Sequence, residues 1–412
     1  MRCLLSDKLL VSTITGLEYP FERLEEFAEN GEALEVAVPG VEQARPRSGP
    51  HLWQRFAEFL PFGTMDAAAS LGEGNTPLMD AGASLKTFTG LEHLLLKNET
   101  QNPTWSFKDR GSLACIFMAA EMGESVTATI STGNMGHSIA AYAARAGIKA
   151  LVFVPEFAPK EKLMAMAMHG ATVMKVHAPD YALMKKTVLA LAKEFNLRIV
   201  SGNGPIRVEG YKLTAFEMHE QLGGSVPDHI AVPTSACGHI RGLFKGYREL
   251  LAAGLIKRLP RMIVVQAANN SPIVTAITRG LKQVVPFSNF HTVAEAITTG
   301  NPIGGDEIIA KAAQFGWLAE DVTEEEILEA QRLLARAGYF VEPATATTLY
   351  AVRKLRTAGR IAPDESVVLM LTGAGLKDLE ALKLQPFKVF DSSLNAVRRD
   401  LQNALRVGGA GA

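Results

Sequence analysis

From about residue 105 onward, short runs rich in β-branched residues alternate with longer helical runs. The run Val126–Ile130 is followed by the loop STGNMG and an alanine-rich segment that ends at Gly147, a residue suited to the left-handed end of a helix. The alternation continues through ALVFVP, which ends at Pro155, and the amphipathic run from Tyr181 to Phe195. It resumes after a break at HIAVP (His229–Pro233). Strands separated by helices in this way pair in parallel, so the pattern predicts an α/β fold built of βαβ units.

The overall charge of the chain is nearly balanced, with 42 basic and 43 acidic residues. This balance predicts binding neither to nucleic acid nor to an anionic membrane, so the expected partner is a small molecule. Three cysteines are too few and too scattered for a disulfide framework or a complete zinc site, and they fit a reducing compartment. The N-terminus lacks a signal-peptide pattern, and no run reaches the roughly 18 apolar residues of a membrane span. We therefore expect a cytoplasmic protein.

The segment NPTWSFKDRG (Asn102–Gly111) leads from a loop into a helical run. With Ser106 as the cap, Lys108 falls in the first turn of that helix, where the helix dipole disfavours a cation. The same field, together with partial burial, lowers the pKa of an amine, as a lysine that attacks an aldehyde requires. From the spacing alone, an exposed lysine at a helix start, paired with Asp109, is the favoured interpretation.

Two segments around this lysine resemble the threonine synthase family. SLGEGNTPL (Ser70–Leu78) and the later LLLKNETQNPTWSFKDRG match the family's run GEGNTPL … LKNE … NPTGSFKDRG. The resemblance spans about residues 51–385 and recurs in order at STGN (Ser131–Asn134), RVEGYK (Arg207–Lys212), TEEEILEAQRLLARAGYFVEPATAT and LTGAGLKD (Leu371–Asp378). It implies a lyase of threonine biosynthesis that depends on pyridoxal phosphate. By this resemblance Lys108 is both the covalent anchor of the cofactor and the catalytic base.

The resemblance also implies the architecture of fold type II pyridoxal-phosphate enzymes, in which two doubly wound parallel-sheet domains hold the cofactor between them. We expect an N-terminal subdomain (1–65), a large cofactor domain (66–105 and 213–390), a small substrate-side domain (106–212), and a C-terminal helix and tail (391–412).

The N-terminal subdomain resembles a zinc ribbon that has lost its ligands. Family members often begin with two cysteine pairs, of which this chain keeps Cys3. Ser6 stands at the partner position of the first pair, and Phe27 and Asn30 replace the second pair. Because a structural zinc site normally needs four ligands, we predict that no metal is bound.

The loop STGNMG lies where a strand ends and a helix begins. Backbone N–H groups at such a helix start converge on an anion, so Ser131, Thr132 and Gly133 are candidates to hold the α-carboxylate of the substrate. The resemblance assigns Asn134 to the ring hydroxyl of the cofactor. Taken alone, the loop is better explained as an ordinary turn with a serine or threonine N-cap, but its place after Lys108 favours the functional interpretation.

A second glycine-bearing loop, TSACGHIRG (Thr234–Gly242), follows HIAVP and opens another helix, which is the setting of a phosphate cup. The family's equivalent resembles VGNGGN or VGNAGN, which assigns the five cup positions to Ser235, Ala236, Cys237, Gly238 and His239. Main-chain donors do not depend on the side chain, so phosphate binding can persist without the family's asparagines. We interpret Cys237 as a small filler, and we leave open whether His239 contacts phosphate or has a structural role.

Thr372 ends the strand-like run SVVLML, and open α/β sheets bind ligands at the ends of their strands. The match to the family's LTGHGLKD assigns Thr372 to the pyridine nitrogen of the cofactor. A hydroxyl does not keep that nitrogen protonated as an aspartate does. The resemblance therefore implies elimination and replacement chemistry more than transamination.

Arg207 matches the family and is a sound bidentate ligand for the phosphate of a substrate, with Lys97 or Ser131 as further candidates. Two departures affect the same region: Gly204 stands where the family has an asparagine, and Trp105 replaces a glycine beside Lys108.

The leading prediction is the conversion of O-phospho-L-homoserine and water to L-threonine and phosphate. The departures keep open a related threonine or serine dehydratase, or a β-replacement enzyme for another amino acid. A protein that binds the cofactor without turnover is a third possibility, which the retained Lys108, Asn134, Arg207 and Thr372 oppose. The family implies a homodimer.

Overall fold

The computed structural model describes residues 8–21, 26–28, 31–179, 181–288, 290–385 and 392–407. These residues form twelve strands: β1 (Leu9–Ser12), β2 (Glu18–Pro20), β3 (Leu34–Ala37), β4 (Leu78–Asp80), β5 (His93–Asn98), β6 (Val126–Ile130), β7 (Lys149–Pro155), β8 (Thr172–Val176), β9 (His229–Pro233), β10 (Arg261–Ala267), β11 (Leu318–Val322) and β12 (Ser366–Leu371).

The same described residues form fifteen α-helices: α1 (Leu52–Arg55), α2 (Ala83–Thr89), α3 (Lys108–Glu121), α4 (Asn134–Ala146), α5 (Lys160–Met168), α6 (Tyr181–Glu194), α7 (Pro205–Tyr211), α8 (Leu213–Gln221), α9 (Gly238–Ala252), α10 (Pro272–Thr278), α11 (Gly305–Phe315), α12 (Glu324–Arg336), α13 (Pro343–Thr357), α14 (Leu379–Leu382) and α15 (Val397–Val407). None of the described helices is both long enough and apolar enough to cross a membrane.

Six strands form a mixed sheet in the order β11-β10-β9-β12-β5-β4. Neighbouring strands are parallel except at the edge, where β4 pairs antiparallel with β5. The last of the described strands, β12, therefore lies in the centre of the sheet, between β9 and β5. The prediction of an α/β fold with parallel pairing is confirmed.

Two hydrophobic layers cover the two faces of this sheet. Side chains of successive strand residues point to opposite faces, so Val368 and Met370 of β12 join one layer while Leu369 and Leu371 join the other. Burial of both faces explains why the central strands are almost continuous apolar runs instead of alternating ones.

A smaller parallel sheet contains β6, β7 and β8, with α4, α5 and α6 as the helices that follow its strands. Its helix α4 ends as the sequence predicts, because Gly147 has a φ of +69°. The neighbouring run RIVSG does not form a strand. Ile199 makes a single parallel bridge to Ala128, and the carbonyl of Val200 is taken by the Thr129 hydroxyl at 2.8 Å.

The N-terminal part contains a small antiparallel sheet in the order β2-β1-β3. Cys3, Ser6 and Asn30 lie outside the described residues, and Phe27 forms an isolated bridge with Ala33. No group of three or more metal-ligating side chains occurs within the described part of the chain. Whether this piece descends from a zinc ribbon stays a prediction.

The chain divides into two compact units at Asp378. The first unit contains the three sheets and the helices α1 to α13, and the second contains α14 and α15. The boundaries that the sequence predicts within the first unit stay predictions.

Candidate active site

Lys108 is the first residue of α3, and the segment before it is fastened to the end of β12. The N–H of Phe107 donates to the carbonyl of Thr372 at 3.0 Å, and the N–H of Ala374 donates to the carbonyl of Trp105 at 3.0 Å. Trp105 has a φ of +63°, a conformation that explains why glycine suits this position in the family. This pairing holds the start of α3 at the end of the central strand.

The predicted helix cap is wrong. The hydroxyl of Ser106 is buried and makes no hydrogen bond among the described residues. The carboxylate of Asp109 instead accepts hydrogen bonds from the backbone N–H of Thr104 at 2.6 Å and from the hydroxyl of Ser138 at 2.6 Å. Asp109 therefore ties α3 to the preceding loop and to α4, and it does not pair with Lys108.

The Lys108 amine lies over the ring of Phe107, with Nζ 4.4 Å from its centroid. Burial lowers the pKa of Lys108 to about 7, and the nearby positive charge of Arg207 contributes to this lowering, while Glu342 opposes it. A substantial fraction of the amine is therefore neutral near neutral pH, as a nucleophile and a base must be.

The loop before α9 presents a row of main-chain donors. The N–H groups of residues 235–239 make no hydrogen bond among the described residues, and they precede or begin a helix of 15 residues. Cys237 adopts the left-handed conformation, with a φ of +73°, which turns the chain into α9. Ser235 is held by Thr299, whose hydroxyl lies 2.8 Å from its own. Such a nest of N–H groups at a helix start binds phosphate.

Two side chains of this loop point away from solvent. Burial raises the pKa of the Cys237 thiol, so the group is an inert filler. The His239 ring stacks on Phe107 at 4.0 Å and lies edge-on to Tyr211 at 5.7 Å, and neither ring nitrogen has a hydrogen-bond partner among the described residues. The imidazole of His239 is thus packed between aromatic rings, one of which is the Phe107 ring that also lies under the Lys108 amine. This packing favours a structural role over a phosphate contact by the imidazole.

The loop before α4 forms a second cradle of main-chain donors. The Ser131 hydroxyl accepts from the N–H groups of Gly133 at 3.3 Å and Gly136 at 3.2 Å, which fixes the turn. The N–H groups of Thr132 and Asn134 make no hydrogen bond among the described residues. They lie at the start of a helix of 13 residues, whose dipole favours an anion.

The side chain of Asn134 reaches a carboxylate that the sequence did not single out. Its amide nitrogen donates to both oxygens of Glu342 at 3.0 Å. Burial raises the pKa of Glu342 to about 6. A Cβ at Gly373 would overlap the Glu342 carboxylate, so any side chain there would displace that carboxylate. Glu342 was missed because its partners lie far away in sequence, although its segment EPATAT carries part of the family resemblance.

Thr372 follows β12, and its hydroxyl lies 2.8 Å from that of Thr345, the second residue the sequence did not single out. Thr345 Oγ1 also accepts from the N–H of Gly373 at 3.1 Å and lies 3.4 Å from the Gly373 carbonyl, and either threonine hydroxyl can donate to the other. In the arrangement in which Thr345 donates, the Thr372 hydroxyl is a donor to a neutral ring nitrogen.

Arg207 lies on α7, where that helix crosses α3. Its side chain is 1% exposed, and Nη1 donates to the Ser112 hydroxyl at 3.3 Å. Its Nε and Nη2 have no acceptor among the described residues. An arginine with unused donors, buried beside Lys108, is chemically suited to an anionic substrate group.

Lys97 lies apart from these groups. It is fully buried and ion-paired with Glu217, and it also donates to the carbonyl of Thr76 and to Gln221, both at 2.8 Å. Its three N–H donors are thus used, and this placement contradicts the prediction that Lys97 binds the substrate phosphate.

These residues fit pyridoxal phosphate. A lysine with a lowered pKa suits the aldehyde, the row of N–H groups at 235–239 suits the phosphate, and the hydroxyl of Thr372 suits the pyridine nitrogen. The N–H groups at 235–239 have no acceptor among the described residues, and a bound phosphate would supply one.

The fold agrees with this chemistry. Solved structures with similar folds include serine racemase from Dictyostelium discoideum, with a TM-score of 0.60, 24% identity, and coverage of 73% of this chain and 92% of that one. Threonine deaminase isoform 2 from Solanum lycopersicum has a TM-score of 0.64 and 18% identity, and the match covers 84% of this chain and 96% of the deaminase chain. The family model for the pyridoxal-phosphate dependent enzymes matches residues 69–373. The chain is a pyridoxal-phosphate-dependent α/β enzyme whose mixed and parallel sheets match fold type II.

Similar sequences narrow this class. Threonine synthase from Methanocaldococcus jannaschii is 40% identical over 354 residues, which covers 84% of this chain and 86% of that protein. Threonine synthase from Mycobacterium leprae is 37% identical, and the match covers 85% of this chain and 95% of that protein. The chain belongs to the threonine synthase family.

Proposed function

We propose that this enzyme converts O-phospho-L-homoserine and water to L-threonine and phosphate. The observation that carries the proposal is the set of threonine synthases that are 35 to 40% identical to this chain over about 85% of its length. The chemistry of the site supports the same proposal, because a lysine of lowered pKa lies with two loops whose main-chain N–H groups can each bind an anion.

Three regions would hold the cofactor. Lys108 anchors it, the N–H groups of Ser235, Ala236, Cys237, Gly238 and His239 bind its phosphate, and Thr372 and Asn134 contact its ring. Bound in this way, the cofactor supplies an electron sink for the charge that develops at the substrate Cα. The loop of Ser131, Thr132 and Gly133 would orient the substrate by its α-carboxylate. Its donors would be the N–H groups of Thr132 and Asn134, because those of Ser131 and Gly133 are already hydrogen-bonded.

Lys108 moves the protons. Its neutral amine, available because the pKa lies at about 7, would take the proton from Cα and then one from Cβ, so that the phosphate can leave from Cγ. Arg207 would hold the leaving phosphate with Nε and Nη2, the two donors that have no acceptor among the described residues. Lys108 would return protons to Cγ and Cα, while water supplies a hydroxyl to Cβ and its remaining proton to the released phosphate.

The finer architecture belongs to the same proposal. The six-stranded sheet and the three-stranded parallel sheet correspond to the large and small domains, within the boundaries predicted from the sequence. The resemblance to the family supports a homodimer in the cytoplasm, and the small antiparallel sheet at the N-terminus would be the metal-free ribbon.

A second candidate is a dehydratase or β-replacement enzyme that acts on an amino acid without a phosphate. It is favoured by the changed side chains of the phosphate loop and by Gly204, which removes a polar side chain near Arg207.

The test is a panel of O-phosphohomoserine, O-phosphoserine, threonine and serine, with released phosphate and 2-oxo acids as the readouts. The proposal expects phosphate and threonine from the first compound. Formation of 2-oxobutanoate from threonine, without phosphate release from any compound, would instead identify a dehydratase. Lys108→Ala is expected to lose turnover, and also the absorbance of the lysine-bound cofactor at about 410 nm. A fully active Lys108→Ala variant would overturn the assignment of the anchor.

A further inference from the structure

A carboxylate from the N-terminal part of the chain reaches the loop beside Arg207. Glu26 Oε1 accepts a hydrogen bond from the N–H of Ser201 at 3.1 Å. It faces Gly204, where an added Cβ would lie 3.0 Å from Oε1. Because Gly204 has no side chain, the Glu26 carboxylate fits against the loop. It occupies the space that the side chain of an asparagine at position 204 would enter.

This loop borders the active site. A Cβ at Gly202 would lie 4.0 Å from Lys108 Nζ, and one at Gly238 would overlap the carbonyl of Gly202. The loop of residues 201–204 thus lies close to Glu26, to the anchor lysine and to the phosphate loop. A group bound to Arg207 beside Lys108 would contact the same loop.

Glu26 and Arg207 line one cavity of about 30 Å³, together with Ser201, Gly204 and Cys115. The cavity has room for a water molecule, which needs about 10–15 Å³ on this measure, but not for a phosphate group, which is several times larger. Arg207, whose Nε and Nη2 have no acceptor among the described residues, is one of its lining residues. Among the charged residues that line the cavity, Glu26, Arg198 and Arg207, the Glu26 carboxylate is the one that repels an incoming phosphate.

We propose that Glu26 is a specificity-determining residue whose carboxylate competes with the substrate phosphate for Arg207 and the loop of residues 201–204. Phosphate then binds when Glu26 moves aside or takes up a proton. The inference rests on the proposed function, since it concerns the subsite that the leaving phosphate of that reaction would occupy.

The charges around Glu26 make this competition depend on pH. Burial raises the pKa of Glu26, while Lys185 on α6 and Arg207 on α7 oppose that shift. Arg198 lines the same cavity, and Cys115 on α3 faces it with a thiol whose pKa is raised by burial. Protonated Glu26 no longer repels a dianion, so anion binding at this subsite strengthens as the pH falls.

Sulfate is the suitable probe, because it stays dianionic throughout the range where carboxylates titrate. We would measure its binding to the holoenzyme by calorimetry between about pH 8 and about pH 5.5. Wild type is expected to bind sulfate more tightly as the pH falls. Glu26→Gln is expected to bind at least about tenfold more tightly at the upper end of the range, and with little dependence on pH. Glu42→Gln, which changes an exposed carboxylate in the same part of the chain, is the matched control and should behave as wild type.

Gly204→Ala tests the same competition without changing the Glu26 carboxylate. Its φ of −61° accommodates alanine, and the new Cβ would press on Glu26, so sulfate binding should strengthen here as well. With O-phosphohomoserine, Glu26→Gln should lower KM more than it changes kcat.

Equal sulfate affinity and equal pH dependence in wild type, Glu26→Gln and Gly204→Ala would overturn the inference. That result alongside threonine formation would leave the proposed function intact. Stronger sulfate binding by both variants without threonine formation would support the competition and refute the proposed function.

Discussion

His239 shows how one buried side chain couples stability to pH. Burial, reinforced by the positive charges of Lys108 and Arg110, lowers the pKa of His239 to about 3. The unfolded chain takes up this proton below about pH 6.5, whereas the folded chain does not until about pH 3. The free energy of unfolding therefore falls as the pH drops through this window, by up to about 1.4 kcal/mol per pH unit.

We predict that His239→Phe removes this contribution. Phenylalanine keeps the stacking on Phe107 and introduces no ring nitrogen without a partner. Urea unfolding at about pH 7 and about pH 5 should show a smaller loss of stability for the variant than for wild type. His93→Phe, at an exposed position, is the control. Equal losses in all three proteins would refute the prediction.

At the scale of residues, the sequence predicts groups whose neighbours are close in the chain. Lys108 is identified by the helix start around it and by the motifs on either side. Glu342 and Thr345 were not identified as site residues from the sequence. Their partners Asn134 and Thr372 are distant in the chain, and only the fold brings each pair together. Ser106 was misassigned as a cap because the pairing of Trp105 and Phe107 with β12 sets the start of α3 instead.

At the scale of elements, a buried ionic cluster joins β5, α3 and α8. Arg110 bonds to Glu99 at 2.7 Å and to Glu217 at 3.0 Å, and Lys97 pairs with Glu217. All four side chains are nearly inaccessible to solvent. Removal of one partner leaves buried charge without full compensation.

We predict that Lys97→Met destabilises the protein by about 3 kcal/mol, measured by denaturant unfolding. Lys86→Met removes a lysine from a more exposed pair with Asp80 and should cost less than about 1 kcal/mol. Similar effects for the two variants would show that the cluster is not held by its charges.

The elements themselves were largely predictable, because β-branched runs and capping signals act locally. The run TEEE is a local capping signal of this kind, and α12 follows it, with Thr323 and Glu326 forming a capping box. The run RIVSG has strand propensity but makes only one bridge to the sheet, and a local pattern does not reveal this.

At the scale of the whole molecule, the site gathers residues from distant parts of the first unit. The order of the large sheet, with β12 at its centre, was not predictable from the sequence because it depends on long crossovers. Parallel pairing was predictable, since alternating strands and helices leave few other arrangements.

A ligand that binds the folded state alone stabilises the whole unit. We predict that pyridoxal phosphate at a hundredfold excess over its Kd stabilises the apo protein by about 2.7 kcal/mol, seen as a higher Tm. Pyridoxal at the same concentration should stabilise less, because it leaves the N–H groups of residues 235–239 without an anion. Equal shifts with the two compounds would argue against this phosphate site.

A phosphate site made of main-chain N–H groups has a consequence for protein engineering. Its binding groups are the same for every residue type except proline, so we expect the side chain at Ala236 to be open to exchange without loss of the ligand. Ser235 is held through its hydroxyl by Thr299, and any Cβ at Gly238 would collide with the Gly202 carbonyl, so these two positions are constrained. A library randomised at position 236 could therefore redesign the wall of the pocket while the cofactor stays anchored.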